Sequence, residues 1–393
     1  MMLCGEKECT GCGVCKAVCN KHAISMVADT LGFLHPVIDK SNCVECGLCA
    51  KKCPEINPVK RELKNTCYLA WSTDNDIHYN SASGGVSFTL AHHIIKEGGF
   101  AVGCVWDKGF NAVLKVIDNI DELNKTIGSK YVQSYISEDT WQDIRQRLNN
   151  RERGIVFGLP CQIAAIKSYT NNNTNLLFCD ILCHGGCSPT YHHEHLEYLK
   201  EKKKIDSITD VKYRGGYYNF CYTVWDNKKL RYLDGLYADT YYYSFVKHYL
   251  FHETCYKCQY ANANRISDLT IGDFWGIDPD FISRKNKLNG TNLVLVHNKK
   301  GEELWSSVQD RLEVYVRDIK EAIKGNDTLS QPTKMPEERG IILNLIDELG
   351  FEKAIESSQG FLQSRKESRH NLLRLKIRNI IPKWIIKIVK KLK

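Results

Sequence analysis

From Cys67 onward, short apolar runs alternate with stretches whose apolar residues recur every three or four positions. Residues 67–71 (CYLAW) read as a strand, and Val86, Leu90, Ile94 and Ile95 share one face of a helix that Gly98-Gly99 ends. FAVGCVW, GIVFGL, NLLFCDIL, LTIGDFWGI and NLVLVHN are further apolar runs bounded by turn residues. Helical stretches near 141–148, 162–169 and 191–200 fall between several of them. Strands alternating with helices predict an α/β domain with a largely parallel or mixed sheet. Residues 1–56 differ: they hold nine of the eighteen cysteines and few apolar runs. Burial alone cannot hold such a segment together. The expected organisation is α+β overall: a small cysteine-rich domain at 1–56, a linker at 57–66, a larger α/β domain at 67–345 and a helical tail at 346–393.

A length of 393 residues fits two or three domains, and 43% hydrophobic with 25% charged residues is ordinary for a globular chain. Met1 to Glu8 has no basic segment followed by an apolar run, and no stretch reaches the ~20 apolar residues of a spanning helix. A cytoplasmic, reducing location is expected, where thiols bind metal or do redox chemistry more often than they form disulfides. The net charge of +8 is concentrated at the end, because residues 365–393 carry eleven Lys and Arg against one Glu. The remainder is close to neutral, so no nucleic-acid partner is expected. In the tail, Leu373, Ile377, Ile380, Ile381, Trp384, Ile385, Ile388 and Leu392 recur at helical spacing between basic residues, with Pro382 as a kink or a second start. A basic amphipathic helix of this kind suits an anionic membrane surface, which would put the protein peripherally on the inner face. Docking onto the body or onto a partner subunit is the competing expectation.

Cys9, Cys12, Cys15 and Cys19 follow C-x2-C-x2-C-x3-C, and Cys43, Cys46, Cys49 and Cys53 repeat it before Pro54. This is the spacing of a two-cluster bacterial ferredoxin, in which the fourth cysteine of each run ligates the other cluster. One 4Fe–4S cluster is expected on Cys9, Cys12, Cys15 and Cys53, and the second on Cys43, Cys46, Cys49 and Cys19. Asn20 stands where proline is usual. Zinc fits these triplets poorly, and Cys4 lies outside the pattern as an unligated thiol.

SASGGVSFTLAHHIIKEGG (81–99), IGSKYVQS (127–134), GLPCQIAAIK (158–167), DILCHG (180–185) and CYKCQYANANRISDLTIGDFWGI (255–277) occur in that order. With them the chain resembles the coenzyme F420 hydrogenase/dehydrogenase beta-subunit family, in its form with an N-terminal dicluster ferredoxin domain. Relatives include F420-reducing hydrogenase and formate dehydrogenase subunits and ferredoxin-dependent reductases of chlorophyll precursors. The resemblance implies FAD and a further iron–sulfur cluster in the larger domain. Ser83-Gly84-Gly85 leads into a helix, where backbone N–H groups and the helix dipole favour a diphosphate; a plain helix start is the alternative. The resemblance places Lys130 and Ser134 near the flavin, although Lys130 also reads as a surface charge. Cys161, Cys183, Cys255 and Cys258 are the expected ligands of the third cluster, with Cys187 competing for the place of Cys183. An inert buried thiol is the plain reading of Cys161. His184 and Asp273 are catalytic candidates, as a proton relay and a flavin hydrogen-bonding group, against ordinary structural roles. His92, His93, His192, His193 and His195 read as surface or packing residues, and Cys67, Cys104, Cys179 and Cys221 as core.

What the resemblance implies is an iron–sulfur flavoprotein oxidoreductase. It takes electrons from a ferredoxin or another low-potential donor through 4Fe–4S clusters to FAD and an unidentified two-electron acceptor, or runs in reverse from reduced F420. Two alternatives stand beside it: an electron-relay beta subunit of a larger hydrogenase or dehydrogenase complex, and a non-catalytic interaction protein whose clusters are structural.

Overall fold

The computed structural model describes residues 3–62, 64–278 and 281–368. It divides into two compact units, one formed by the chain up to Thr190 with Phe251–Lys334, the other by Tyr191–Leu250 with the chain from Met335. In the first unit β1 (Ile24–Ala28) and β2 (Leu34–Ile38) make an antiparallel hairpin beside the cysteine runs. They are followed by β3 (Thr66–Ser72), β4 (Phe100–Trp106), β5 (Ala112–Ile117), β6 (Tyr135–Ile136), β7 (Gly154–Gly158) and β8 (Leu176–Ile181). The second unit contains β9 (Asp210–Lys212), β10 (Cys221–Asp226) and β11 (Lys229–Gly235), and the chain then returns with β12 (Leu269–Asp273), β13 (Asn292–Val296) and β14 (Leu312–Arg317).

The large sheet has nine strands in the order β14-β3-β13-β12-β8-β7-β4-β5-β6. β12, β8, β7 and β4 run parallel, while β13 pairs antiparallel with both β12 and β3. The mixed sheet and the alternating elements follow the periodicity read above. The carboxyl ends of β3, β12, β8, β7 and β4 therefore share one edge, the usual ligand edge of an open α/β sheet. Because β5 is antiparallel to β4 and parallel to β6, β6 begins at that same edge.

Alternation along the strands sends side chains to the two faces of the sheet. Val156 and Phe178 enter one core with Trp141, Ile163 and Ile166, and Ile155, Phe157 and Leu177 enter the other with Val86, Leu90 and Trp305. Val14, Val18 and Ile24 of the cysteine-rich segment belong to the first of these cores. That segment is thus seated on the sheet's helices by burial, each side chain contributing roughly 1.5–3 kcal/mol. Cys67, Cys179 and Cys221 are buried as expected, whereas Cys104 is half-buried.

In the second unit, β10 pairs with β9 and β11, and the helices Thr240–Val246 and Phe351–Ser357 pack together. Of the two readings of His195, surface or packing, the second holds: it is fully buried and pairs with Asp239 at 2.9 Å and with Glu352 at 2.5 Å. Leu373 to Leu392, with Trp384, lie outside the described residues. Among those described, no helix is long and apolar enough to cross a membrane.

Candidate functional site

In both cysteine runs a glycine follows the second cysteine, and Gly13 and Gly47 take φ of 77° and 76°. This left-handed turn, open to glycine at no steric cost, starts the short helices Val14–Ala17 and Leu48–Lys52 that carry Cys15 and Cys49. Cys9, Cys12, Cys15 and Cys53 come together around a space of about 20 Å³ closed by Val14, Met26 and Pro36. Gly11 N–H points at the Cys9 sulfur at 3.5 Å. Burial pushes the Cys12 and Cys15 thiols up to about 12. Hydrogen bonding from Cys4 holds Cys9 down to about 7 and Cys53 to about 6. Cys49 is raised by burial and neighbours Cys19 and Cys46. Cys43 is half-buried on the turn that Asp39 caps, and Cys46 is exposed.

A second cavity, about 60 Å³, is lined by Cys161, Cys183, Cys255 and Cys258. At ~10–15 Å³ for each water, it is a sizeable void in an interior that is otherwise closely packed. Cys161 occupies the first turn of the helix Pro160–Tyr169, directly after β7. Gln162 anchors that turn by accepting from Leu159 N–H at 3.0 Å and donating to Ser134 Oγ at 2.9 Å. Cys183 follows β8, and Cys255 lies on the turn Glu253–Lys257 with Gly186 N–H directed at its sulfur at 3.4 Å. Part of each residue opens onto the cavity, yet the thiols lie deep enough that desolvation pushes Cys183 up to about 12 and Cys161 well above its ordinary range. Cys187 is fully buried and bridges to Phe251.

The thiol-bearing loops are held by residues that spacing does not reveal. Arg265 donates to Asp180 at 2.9 Å and to the Tyr260 carbonyl at 2.7 Å, tying the Cys255–Cys258 loop to the strand that leads to Cys183. Asp180 also accepts from Ser267 at 2.9 Å and Thr270 at 2.6 Å. Glu55, two residues after Cys53, accepts from Gln259 at 2.7 Å and from the Tyr260 hydroxyl at 3.3 Å. Thr10 and Glu55 line both thiol cavities. A charged residue inside an otherwise apolar run, NLLFCDIL, is the one signal that could have singled out Asp180, while Arg265 stands in the polar stretch NANRISD and carries none.

Ser83, Gly84 and Gly85 lie at the carboxyl edge near the end of β3, where Ser72 N–H donates to the Gly84 carbonyl at 2.7 Å. A Cβ on Gly84 would stand 2.6 Å from the Ala70 carbonyl oxygen, so close backbone packing accounts for that glycine. Ser83 Oγ donates to the Thr291 carbonyl at 2.9 Å, and the first helical amide, Val86 N–H, is taken by Asn292 at 3.2 Å. Lys130 and Ser134 lie before β6, at the far end of the same edge. Lys130 Nζ stands 5.8 Å from the Trp106 ring centre, and Ser134 is buried. Between Ser83–Gly85 beside β3 and Lys130 beside β4 lie five strand spacings, ~24 Å at ~4.8 Å each. His184 lines the thiol cavity and its carbonyl accepts from Thr333 at 2.5 Å, while Asp273 closes β12.

Among the described residues, no group of three or more His, Cys, Asp or Glu side chains is set to hold a single metal ion. A lone zinc draws each thiolate to ~2.3 Å, whereas a cubane places its own iron–sulfide core among them. The thiols stand around voids, with backbone N–H groups aimed at the sulfurs of Cys9 and Cys255, an arrangement that leaves room for such a core.

Residues 152–322 match the family described as coenzyme F420 hydrogenase/dehydrogenase, C terminus of the beta subunit, and residues 8–56 match the 4Fe–4S dicluster domain. Among solved structures, a chain of the F420-reducing [NiFe] hydrogenase complex from Methanosarcina barkeri is similar at 15% identity, covering 74% of this chain and 94% of that one with a TM-score of 0.46. No curated protein matches the sequence. Taken together, the two matched segments identify an oxidoreductase that belongs to the coenzyme F420 hydrogenase/dehydrogenase beta-subunit family and carries a 4Fe–4S dicluster domain at its N-terminus.

Proposed function

We propose that this chain is an electron-relay subunit of the beta type, exchanging electrons with a ferredoxin-like partner at its dicluster domain and with a larger hydrogenase or dehydrogenase assembly. The observation that carries the reading is the succession of thiol cavities, in which Thr10 and Glu55 belong to both the first and the larger one. Cys9, Cys12, Cys15 and Cys53 would hold one cluster, Cys19, Cys43, Cys46 and Cys49 another, and Cys161, Cys183, Cys255 and Cys258 a third. When bound, such clusters supply one-electron carriers whose potentials follow burial and hydrogen bonds to sulfur. The chain's own groups set both terms. Gly11 and Gly186 direct N–H groups at Cys9 and Cys255, and Arg265 lends positive charge beside Cys183 and Cys258. Glu55 keeps the two loops in register through Gln259 and Tyr260.

The match to a beta subunit favours the relay over a self-contained reductase. FAD along the carboxyl edge is the finer part of the proposal, with Lys130 and the Ser83–Gly85 turn as its holding groups. There the fit is partial, because Ser83 Oγ, Val86 N–H and Ser134 are already bonded within the protein.

Anaerobic purification with iron, sulfide and flavin quantified tests the reading. Three cubanes require about twelve irons per chain, and Cys161→Ser should lose about four of them. Unchanged iron in that variant would remove the third ligand set, and colourless parent protein would end the iron–sulfur reading altogether. Native purification with a large redox partner would support the relay, and purification as a monomer that reduces a two-electron acceptor unaided would overturn it.

A further inference from the structure

The second unit holds an open cleft of about 390 Å³ that shares no residue with either thiol cavity. Its size falls within the ~300–1,000 Å³ of small-molecule sites. Lys202 and Lys203 come to it from the end of the helix Pro189–Lys203, Arg231 from β11, and Arg365 from the helical stretch 359–368. Last-turn lysines complement a helix dipole, but that does not bring two arginines from other elements to the same place. Arg231 is fixed there, donating to the Lys204 carbonyl at 2.7 Å and to Asp226 at 3.3 Å. Lys202 stands 3.5 Å from Glu356. Lys203 and Arg365 meet no carboxylate among the described residues, and each lies 5.8 Å from a ring centre, of Tyr232 and of Phe361.

The inner wall carries acceptors. Asp234, Thr240 and Glu352 line it beside the buried His195. Thr240 Oγ donates to Glu352 at 2.7 Å, and the Tyr232 hydroxyl donates to Asp234 at 3.3 Å. An ionised carboxylate offers about four lone-pair sites and no donor, so both acids can accept further hydrogen bonds. Buried ionic groups of this kind are weak devices for stability, since apolar packing of the same volume often does as well. We propose that the cleft binds a phosphorylated sugar or polyol, its phosphate on Lys203 and Arg365 and its hydroxyl groups donating to Asp234 and Glu352. Cationic side chains make strong, charge-assisted hydrogen bonds to phosphate, and the hydroxyls supply the donors that the acids lack. A soluble sugar phosphate and an inositol phospholipid headgroup share this chemistry. The cleft is separate from the thiol cavities, and its failure would leave the relay reading as it stands.

Calorimetric titration of the full chain, purified without oxygen, with glucose 6-phosphate, inorganic phosphate and glucose reads both walls. Glucose 6-phosphate should bind in the millimolar range or tighter, and more tightly than either of the other two, with an affinity that falls as salt is raised. Lys203→Ala/Arg365→Ala should weaken it about tenfold or more while the urea midpoint stays at the parent's value, because both side chains are exposed. Phosphatidylcholine vesicles with and without phosphatidylinositol separate the two sources. Binding only to the inositol vesicles, lost in the double variant, assigns the headgroup; binding of glucose 6-phosphate assigns the soluble ligand. No saturable binding of any probe, or equal binding by the parent and the double variant, overturns the site. Equal affinities for inorganic phosphate and glucose 6-phosphate overturn the role of Asp234 and Glu352.

Discussion

Arg265 donates to Asp180 at 2.9 Å with both side chains removed from solvent, the arginine 2% and the aspartate 0% exposed. The aspartate ends a strand and the arginine ends the loop of Cys255 and Cys258, so one ion pair joins two of the three thiol-bearing segments. Leaving one charge of such a pair buried alone costs about 3–5 kcal/mol. Arg265→Ala is expected to lower the unfolding free energy by that amount in urea titration. A loss under about 1 kcal/mol, the range of an exposed pair, would show that the pair does not hold the loop.

His195 lies between Asp239 and Glu352, with Tyr222, Tyr232 and Tyr241 around it and His192 on the same helix. Burial opposes its charge, but the two carboxylates override that and push the imidazolium up to about 10. A folded pKa above the unfolded ~6.5 means that the stabilisation is complete below ~6.5 and is lost as pH rises through about 10. The urea midpoint should therefore fall by the equivalent of a few kcal/mol between about pH 7 and pH 10.5, and the fall should be absent in His195→Gln. Identical pH profiles for the two proteins would refute the assignment.

Gly84 and Gly340 should respond to alanine with opposite signs. A Cβ at Gly84 meets the Ala70 carbonyl oxygen at 2.6 Å and Asn292 Oδ1 at 2.8 Å, whereas nothing lies within 4 Å of one at Gly340 in the helix Arg339–Leu349. Overpacking at the first is expected to cost about 1–3 kcal/mol. Alanine at the second should add roughly 0.4–1 kcal/mol by restricting the unfolded chain. Denaturant midpoints of the two variants decide the matter, and a stabilised Gly84→Ala would contradict the close approach.

Glu55→Ala removes both acceptors from Gln259 and Tyr260. A buried donor left without its partner costs about 1–3 kcal/mol, so amide exchange at 255–260 should quicken while that of β7 and β8 stays slow. Uniform exchange across both regions would mean that Glu55 does not link them.

Local pattern carried much of the architecture. Strands such as β7, β8 and β12, and the helices after Gly85 and Leu159, are written in runs of apolar residues and their turn punctuation, because each depends on neighbours a few residues away. The paired C-x2-C-x2-C-x3-C runs are legible for the same reason, since one turn of chain sets the spacing of three thiols. β5, with Lys115 breaking its apolar run, and the short β6 gave weaker signals and emerge only where β4 offers β5 a partner and β5 in turn offers one to β6.

Sequence alone determined the α/β alternation, the cysteine repeats and the segregation of basic charge into the tail, since each is a property of adjacent positions. Only the tertiary structure decided that Cys161, Cys183, Cys255 and Cys258 line one cavity, that Cys4 joins Cys9 and Cys53 around another, and that Asp180 meets Arg265 and His195 meets Asp239. Those meetings join residues brought together by strand order, turns and packing. The free energy that selects them is summed over whole cores, and no short window of sequence contains it.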